Sequence, residues 1–175
     1  PDIYLARAGW LPDGRPWAQV ENREQTSLDL LVFDPHTGQA QRLLHESSAV
    51  WINLHDMFRP LKEGPYAGGF IWASERTGFR HLYLYDAAGD LVRPLTGHPY
   101  DAGEWQVDEL CAVDEARRLV YFAASLDTPL ERHLYVASLD GNPARRITQA
   151  PGMHMLTLDH GPRQFVDLFD SLDAP

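Results

Sequence analysis

The sequence predicts an all-β chain: β-propeller blades of four antiparallel strands each, about three blades plus the start of a fourth. Three observations carry that prediction. Short apolar and aromatic runs recur as Leu30-Leu31-Val32-Phe33-Asp34, Leu82-Tyr83-Leu84-Tyr85-Asp86 and Leu134-Tyr135-Val136-Ala137-Ser138. Each is followed by a turn glycine, Gly38, Gly89 or Gly141, and these glycines lie 51 and 52 residues apart. A similar strand ending follows each glycine: Arg42-Leu43-Leu44, Arg93-Pro94-Leu95-Thr96 and Arg146-Ile147-Thr148. A period of about 50 residues built from short strands and tight turns is the pattern of a propeller blade.

The units follow in order as roughly 4–50, 51–103, 104–153 and an incomplete 154–175, together a partial propeller domain over 1–175. In the first, Trp17-Ala18-Gln19-Val20 rises from the turn Pro12-Asp13-Gly14-Arg15. Phe70-Ile71-Trp72-Ala73 holds the same place in the second unit. The third has two readings around residues 108–118, where the apolar spacing also fits an amphipathic helix. Val120, Tyr121 and Phe122 are β-branched or aromatic, so a strand over 105–112, a turn at 114–117 and a second strand are expected. The fourth begins with Phe165-Val166-Asp167-Leu168 after the turn Gly161-Pro162-Arg163. Thirteen glycines and thirteen prolines break the chain too often for long helices. Trp72, Phe79, Tyr83, Tyr85, Tyr121, Phe122, Tyr135 and Phe165 fall at strand positions and are expected to pack in the core.

Composition narrows the function classes. The formal net charge is −10 with no basic cluster, which disfavours a nucleic-acid partner. No apolar run reaches the ~18 residues that a membrane-spanning helix needs. The single cysteine, Cys111, excludes an internal disulfide and reads as a small buried side chain. The opening Pro1-Asp2-Ile3, without a start Met, reads as part of a longer chain. A blade exposes two apolar faces, so completion by further blades or by another copy is expected.

The chemistry of catalysis is missing from the motifs. There is no G-x-S-x-G nucleophile elbow, so no catalytic residue is assigned. There is no H-E-x-x-H, C-x-x-C or glycine-rich phosphate loop, so neither a metal site nor a cofactor is expected. The eight histidines read as loop or blade-surface residues; only His154 and His160 lie close together. Neither the Trp-Asp dipeptide of WD repeats nor the sialidase S-x-D-x-G-x-x-W box occurs. Ser138-Leu139-Asp140-Gly141 starts that box and departs from it at Asn142-Pro143.

Four collinear stretches resemble the β-propeller domain of the dipeptidyl peptidase IV family, within the prolyl oligopeptidase clan. They are Tyr4-Leu5-Ala6-Arg7-Ala8-Gly9-Trp10 with Pro12-Asp13-Gly14, and Val50-Trp51-Ile52-Asn53-Leu54-His55-Asp56-Met57-Phe58-Arg59-Pro60. The third, Ser74-Glu75-Arg76-Thr77-Gly78-Phe79-Arg80-His81-Leu82-Tyr83, resembles the family's E-x-x-G-F/Y-x-H-L/I pattern. The fourth, Thr128-Pro129-Leu130-Glu131-Arg132-His133-Leu134-Tyr135-Val136, resembles the eighth-and-ninth branch and the bacterial members.

The resemblance implies a parent serine peptidase that removes X-Pro or X-Ala dipeptides from peptide N-termini. It implies a catalytic C-terminal α/β-hydrolase domain, absent from this chain, and a propeller segment that gates substrate entry. Partners would be peptide substrates, that hydrolase domain and the remaining blades, with a homodimer also compatible. The cytoplasm and the periplasm of a bacterium both remain open as compartments. One functional position carries over: Phe58 and Arg59 match the family's F-R-P stretch and would line the substrate cavity. His55 and Asp56 beside them read as loop-ordering residues. Two other readings share the blade pattern: a standalone TolB-like binding propeller, and the propeller of an acylaminoacyl or oligopeptidase relative.

Overall fold

The structure, a computed structural model, describes residues 2–100, 103–159 and 161–171. Strands account for almost all of its regular structure. Four form the first sheet in consecutive order: β1 (Ile3–Trp10), β2 (Pro16–Asn22), β3 (Ser27–Phe33) and β4 (Ala40–Ser47). The second sheet runs β5 (Arg59–Pro60), β6 (Phe70–Ser74), β7 (His81–Tyr85) and β8 (Leu91–Pro94). The third comprises β9 (Val107–Asp114), β10 (Leu119–Ala124), β11 (His133–Ser138) and β12 (Arg145–Arg146). A two-stranded sheet of β13 (Met153–Leu158) and β14 (Phe165–Asp170) completes the described chain. Three four-stranded antiparallel meanders and a hairpin are propeller blades and the start of another. The region around 108–118 is two strands and a turn.

The recurring glycines do the same work in each sheet. Gly38, Gly89 and Gly141 have φ of +71°, +90° and +84°, a region that side chains disfavour. In the first turn Asp34 Oδ1 accepts from the N–H groups of Thr37 and His36, each at 2.8 Å. Those two donors, Thr37 first, hold the Asp34 carboxyl below its usual range. Asp86 Oδ1 accepts from Ala88 and Asp90 in the second sheet, and Ser138 Oγ from Asp140 in the third. Gly89 also lies against the fourth strand of the first sheet: a Cβ there would sit 2.0 Å from the Leu43 carbonyl oxygen.

The chain divides into two compact units, Pro1–Ile71 with Tyr85–Val92, and Trp72–Leu84 with Arg93–Pro175. In the first unit, Leu28, Leu30 and Val32 of β3 are buried while the residues between them are half-buried, the period-2 pattern of a sheet packed on one side. In the second, rings form a chain of contacts through the interior. His81 meets Trp105 at 4.7 Å, Trp105 meets Phe122 at 6.4 Å, and Phe122 meets Tyr135 at 5.7 Å. His133 continues it to His154 at 4.8 Å, and His154 stacks on Phe169 at 5.1 Å.

Several sequence expectations need correction. His81, His133 and His154 are buried strand residues rather than surface ones. His133 and His154 have both ring nitrogens partnered, and His81 has its Nδ1 partnered. Thr96 Oγ1 accepts the Leu82 N–H at 2.9 Å and pairs with His81 Nδ1 at 3.3 Å. Thr148 repeats the arrangement with Leu134 N–H at 3.1 Å and His133 Nδ1 at 3.0 Å. His154 Nε2 donates to the Ala150 carbonyl at 2.8 Å, and its Nδ1 faces Asp167. His160 lies outside the described residues.

Phe165 is 42 % exposed on β14, and Phe79 and Tyr121 are half-buried, so these three are not core residues. Cys111 is half-buried rather than enclosed. The strand endings also come out short: β8 stops at Pro94, and β12 is two residues long.

Candidate functional site

The stretch from Ser48 to Pro60 leaves β4, turns back on itself and enters β5. Its path is set by local hydrogen bonds. The Ile52 N–H donates to the Gln25 carbonyl at 2.7 Å, tying the loop to the β2–β3 turn. The Trp51 indole N–H donates to Asn53 Oδ1 at 3.1 Å, and its side chain stays 60 % exposed. The Met57 N–H donates to His55 Nδ1 at 3.2 Å, which is the loop-ordering role expected of His55. Met57 and Phe58 then turn inward and are buried.

Phe58, 8 % exposed, occupies a slot between two other rings. Trp17 of β2 meets it edge-on at 4.9 Å and 74°, and Phe70 of β6 at 5.4 Å and 68°. Phe70 in turn stacks on Tyr85 at 5.0 Å and 4°. Arg59 comes next, in β5 opposite Ile71, with Pro60 opposite Phe70 and the Leu61 N–H donating to the Gly69 carbonyl at 2.9 Å. The two motif residues are therefore separated by burial: Phe58 faces inward and Arg59 is exposed. Among the described residues, no ion pair or side-chain hydrogen bond holds the Arg59 guanidinium.

Past Pro60 the chain borders an open cleft of about 240 Å³. Asp13 and Arg15 of the β1–β2 turn and Lys62 line it, and Arg15 Nε pairs with Asp13 at 2.8 Å. The donation from the Arg15 backbone N–H, with the guanidinium beside it, keeps the Asp13 carboxyl below its usual range.

Arg59 offers a fork of N–H donors suited to a peptide carbonyl or a carboxylate, backed by an aromatic wall. Cys111 lies in the other unit, where burial, with Glu109 adding to it, pushes its thiol up to about 12. Among the described residues, no group of three or more His, Cys, Asp or Glu side chains could hold a metal ion.

The sequence reading placed Trp17 only as a strand residue and did not connect it to Phe58. No local pattern reveals that contact, because β2 and the 48–60 loop meet only through the packing of successive sheets.

The meander sheets define the class: a segment of β-propeller blades. The chain belongs to the family of dipeptidyl peptidase IV N-terminal regions, whose profile matches residues 1–175. Human dipeptidyl peptidase 8 is 30 % identical over 98 % of this chain, and the mouse protein of that name is 32 % identical over the same share. A probable dipeptidyl-aminopeptidase B of Coccidioides posadasii is 29 % identical over 99 % of the chain. The chain spans 24 % of the length of the two mammalian relatives and 20 % of the fungal one.

The crystal structure of Porphyromonas gingivalis dipeptidyl peptidase 4 superposes with a TM-score of 0.79 at 22 % identity. It covers 94 % of this chain, which spans 22 % of that one. A crystal structure described as a putative dipeptidyl aminopeptidase IV from Bacteroides ovatus gives 0.77 at 21 % identity, over 96 % of this chain and 26 % of that one. At those identities the likeness is one of fold.

Proposed function

We propose that this segment is the non-catalytic, substrate-gating propeller portion of a serine dipeptidyl peptidase that releases X-Pro and X-Ala dipeptides from peptide N-termini. In this reading a hydrolase domain elsewhere in the parent supplies the nucleophile. Arg59 donates to the bound peptide, and Phe58 forms the cavity wall from which Arg59 projects. The observation that carries the reading is the exposed Arg59 guanidinium, without an ion pair among the described residues, in a stretch that resembles the family's F-R-P pattern. An exposed arginine backed by a buried aromatic is suited to grip a peptide carbonyl or carboxylate.

The test uses the full-length parent and chromogenic Gly-Pro and Ala-Pro substrates. Arg59→Ala is expected to raise KM with kcat little changed, the pattern of lost substrate binding. An unchanged KM in a folded variant removes Arg59 from the cavity. Turnover of these substrates by the 175-residue segment alone, abolished by a serine-directed inhibitor, overturns the non-catalytic assignment.

A further inference from the structure

We infer that Trp17 is a positioning residue for Arg59, acting through Phe58, and that Gly9 is the space in which Trp17 is seated. The inference rests on the reading of Arg59 as a substrate contact. Phe58 and Arg59 are consecutive residues entering an extended strand, so their side chains leave the backbone on opposite faces. Where the Phe58 ring is seated therefore sets the direction in which Arg59 projects. Strand β5 is only two residues long, so its pairing of Arg59 with Ile71 and Pro60 with Phe70 is a weak restraint on the rotation of that segment.

The Phe58 ring supplies a further restraint, and two of the rings against it differ. The Phe70 wall is fixed: Phe70 stacks on Tyr85 at 5.0 Å, and Gly69 lets the backbone approach so closely that a Cβ there would lie 2.4 Å from the Tyr85 carbonyl oxygen. The Trp17 wall is a single half-buried indole at 4.9 Å. That indole is seated over Gly9, its register partner in β1. A Cβ on Gly9 would lie 2.8 Å from Trp17 Cζ2 and 2.9 Å from Cε2. Gly9 is absent from the positive-φ glycines, so a side chain is excluded here by lack of room rather than by backbone conformation. An alanine at this position must displace the indole, and with it the wall against which Phe58 rests.

The experiment measures KM and kcat on Gly-Pro and Ala-Pro chromogenic substrates in the full-length protein, for five variants. Arg59→Ala is expected to raise KM about tenfold, the loss of one charge-assisted hydrogen bond. Trp17→Ala is expected to raise KM by a similar factor with kcat within about twofold, while Trp17→Phe, which keeps a ring against Phe58, recovers most of the affinity. The double variant Trp17→Ala/Arg59→Ala is expected to be no worse than Arg59→Ala alone, because Trp17 acts through Arg59. Gly9→Ala raises KM in the same direction, and it decides the question if Trp17→Ala proves too unstable to assay.

An unchanged KM in Arg59→Ala sinks the substrate reading. A raised KM in Arg59→Ala beside an unchanged KM in Trp17→Ala and Gly9→Ala sinks the positioning role alone. Independent, multiplying effects in the double variant do the same.

Discussion

Gln19 and Glu21 lie two apart on β2 and point to one face, each 1 % exposed. Both Gln19 side-chain polar atoms and Glu21 Oε1 lack a hydrogen-bond partner among the described residues. Burial pushes the Glu21 carboxyl above the usual glutamate range, with a hydrogen bond from Gln25 opposing it. The folded chain therefore holds the Glu21 proton more tightly than the unfolded chain. Its contribution to stability is full below the unfolded value of about 4.3 and is lost as pH rises through the folded value. Glu21→Gln is expected to flatten that decline, so its urea midpoint should exceed the parent's at neutral pH and converge with it near pH 4. Equal midpoints at both pH values would place a compensating partner at Glu21. At this scale the F-R-P motif was legible in the sequence, and so was the loop-ordering His55. The burial that divides Phe58 from Arg59 was not, because a two-residue motif does not specify which of its side chains finds a slot between rings.

At the scale of the strand, the clearest unit is a clasp repeated in successive sheets. His81 and His133 sit at the starts of β7 and β11, and the threonine that closes each comes 15 residues later. Each threonine hydroxyl accepts a backbone N–H and pairs with the imidazole Nδ1, so two buried polar groups depend on it. Thr96→Val, nearly isosteric, leaves the Leu82 N–H and His81 Nδ1 without that partner. It is expected to cost about 1–3 kcal/mol in chemical denaturation, and Thr148→Val a similar amount. A loss below about 0.5 kcal/mol would show that neither group depends on the hydroxyl. The recurrence of His-Leu-Tyr was visible in the sequence, yet the histidines read as surface residues. Spacing along the chain tests for a metal site, whereas the clasp joins the first residue of a strand to a threonine just past the end of the neighbouring strand. Phe165 failed for the converse reason. Its strand pattern was right, but burial also requires something packed against that face.

Over the whole chain, the apolar surface matters more than the acidic charge. Leu5, Trp10, Met155, Val166 and Leu168 are all exposed, and all lie on β1 or the β13–β14 hairpin. Exposed apolar faces of this kind drive association or dye binding. The 175-residue segment by itself is expected to self-associate at tens of micromolar, giving a light-scattering mass above 19.8 kDa and bound hydrophobic dye. A monodisperse monomer that binds no such dye would show that those faces are covered within the chain. No helix among the described residues is long and apolar enough to cross a membrane.

The sequence alone determined the blade period, the turn glycines and the family. Turns need particular residues at particular φ values, and strands need alternating or aromatic runs, so both are written locally. It also pointed to Phe58 and Arg59 as candidate substrate-facing residues. Tertiary structure decided the rest: that Phe58 is enclosed while Arg59 is presented, that three histidines are interior, and that Trp17 stands over Gly9 against the Phe58 ring. Those outcomes depend on which side chains meet across strands and between successive sheets. Contacts between residues that far apart in the chain leave no local signature.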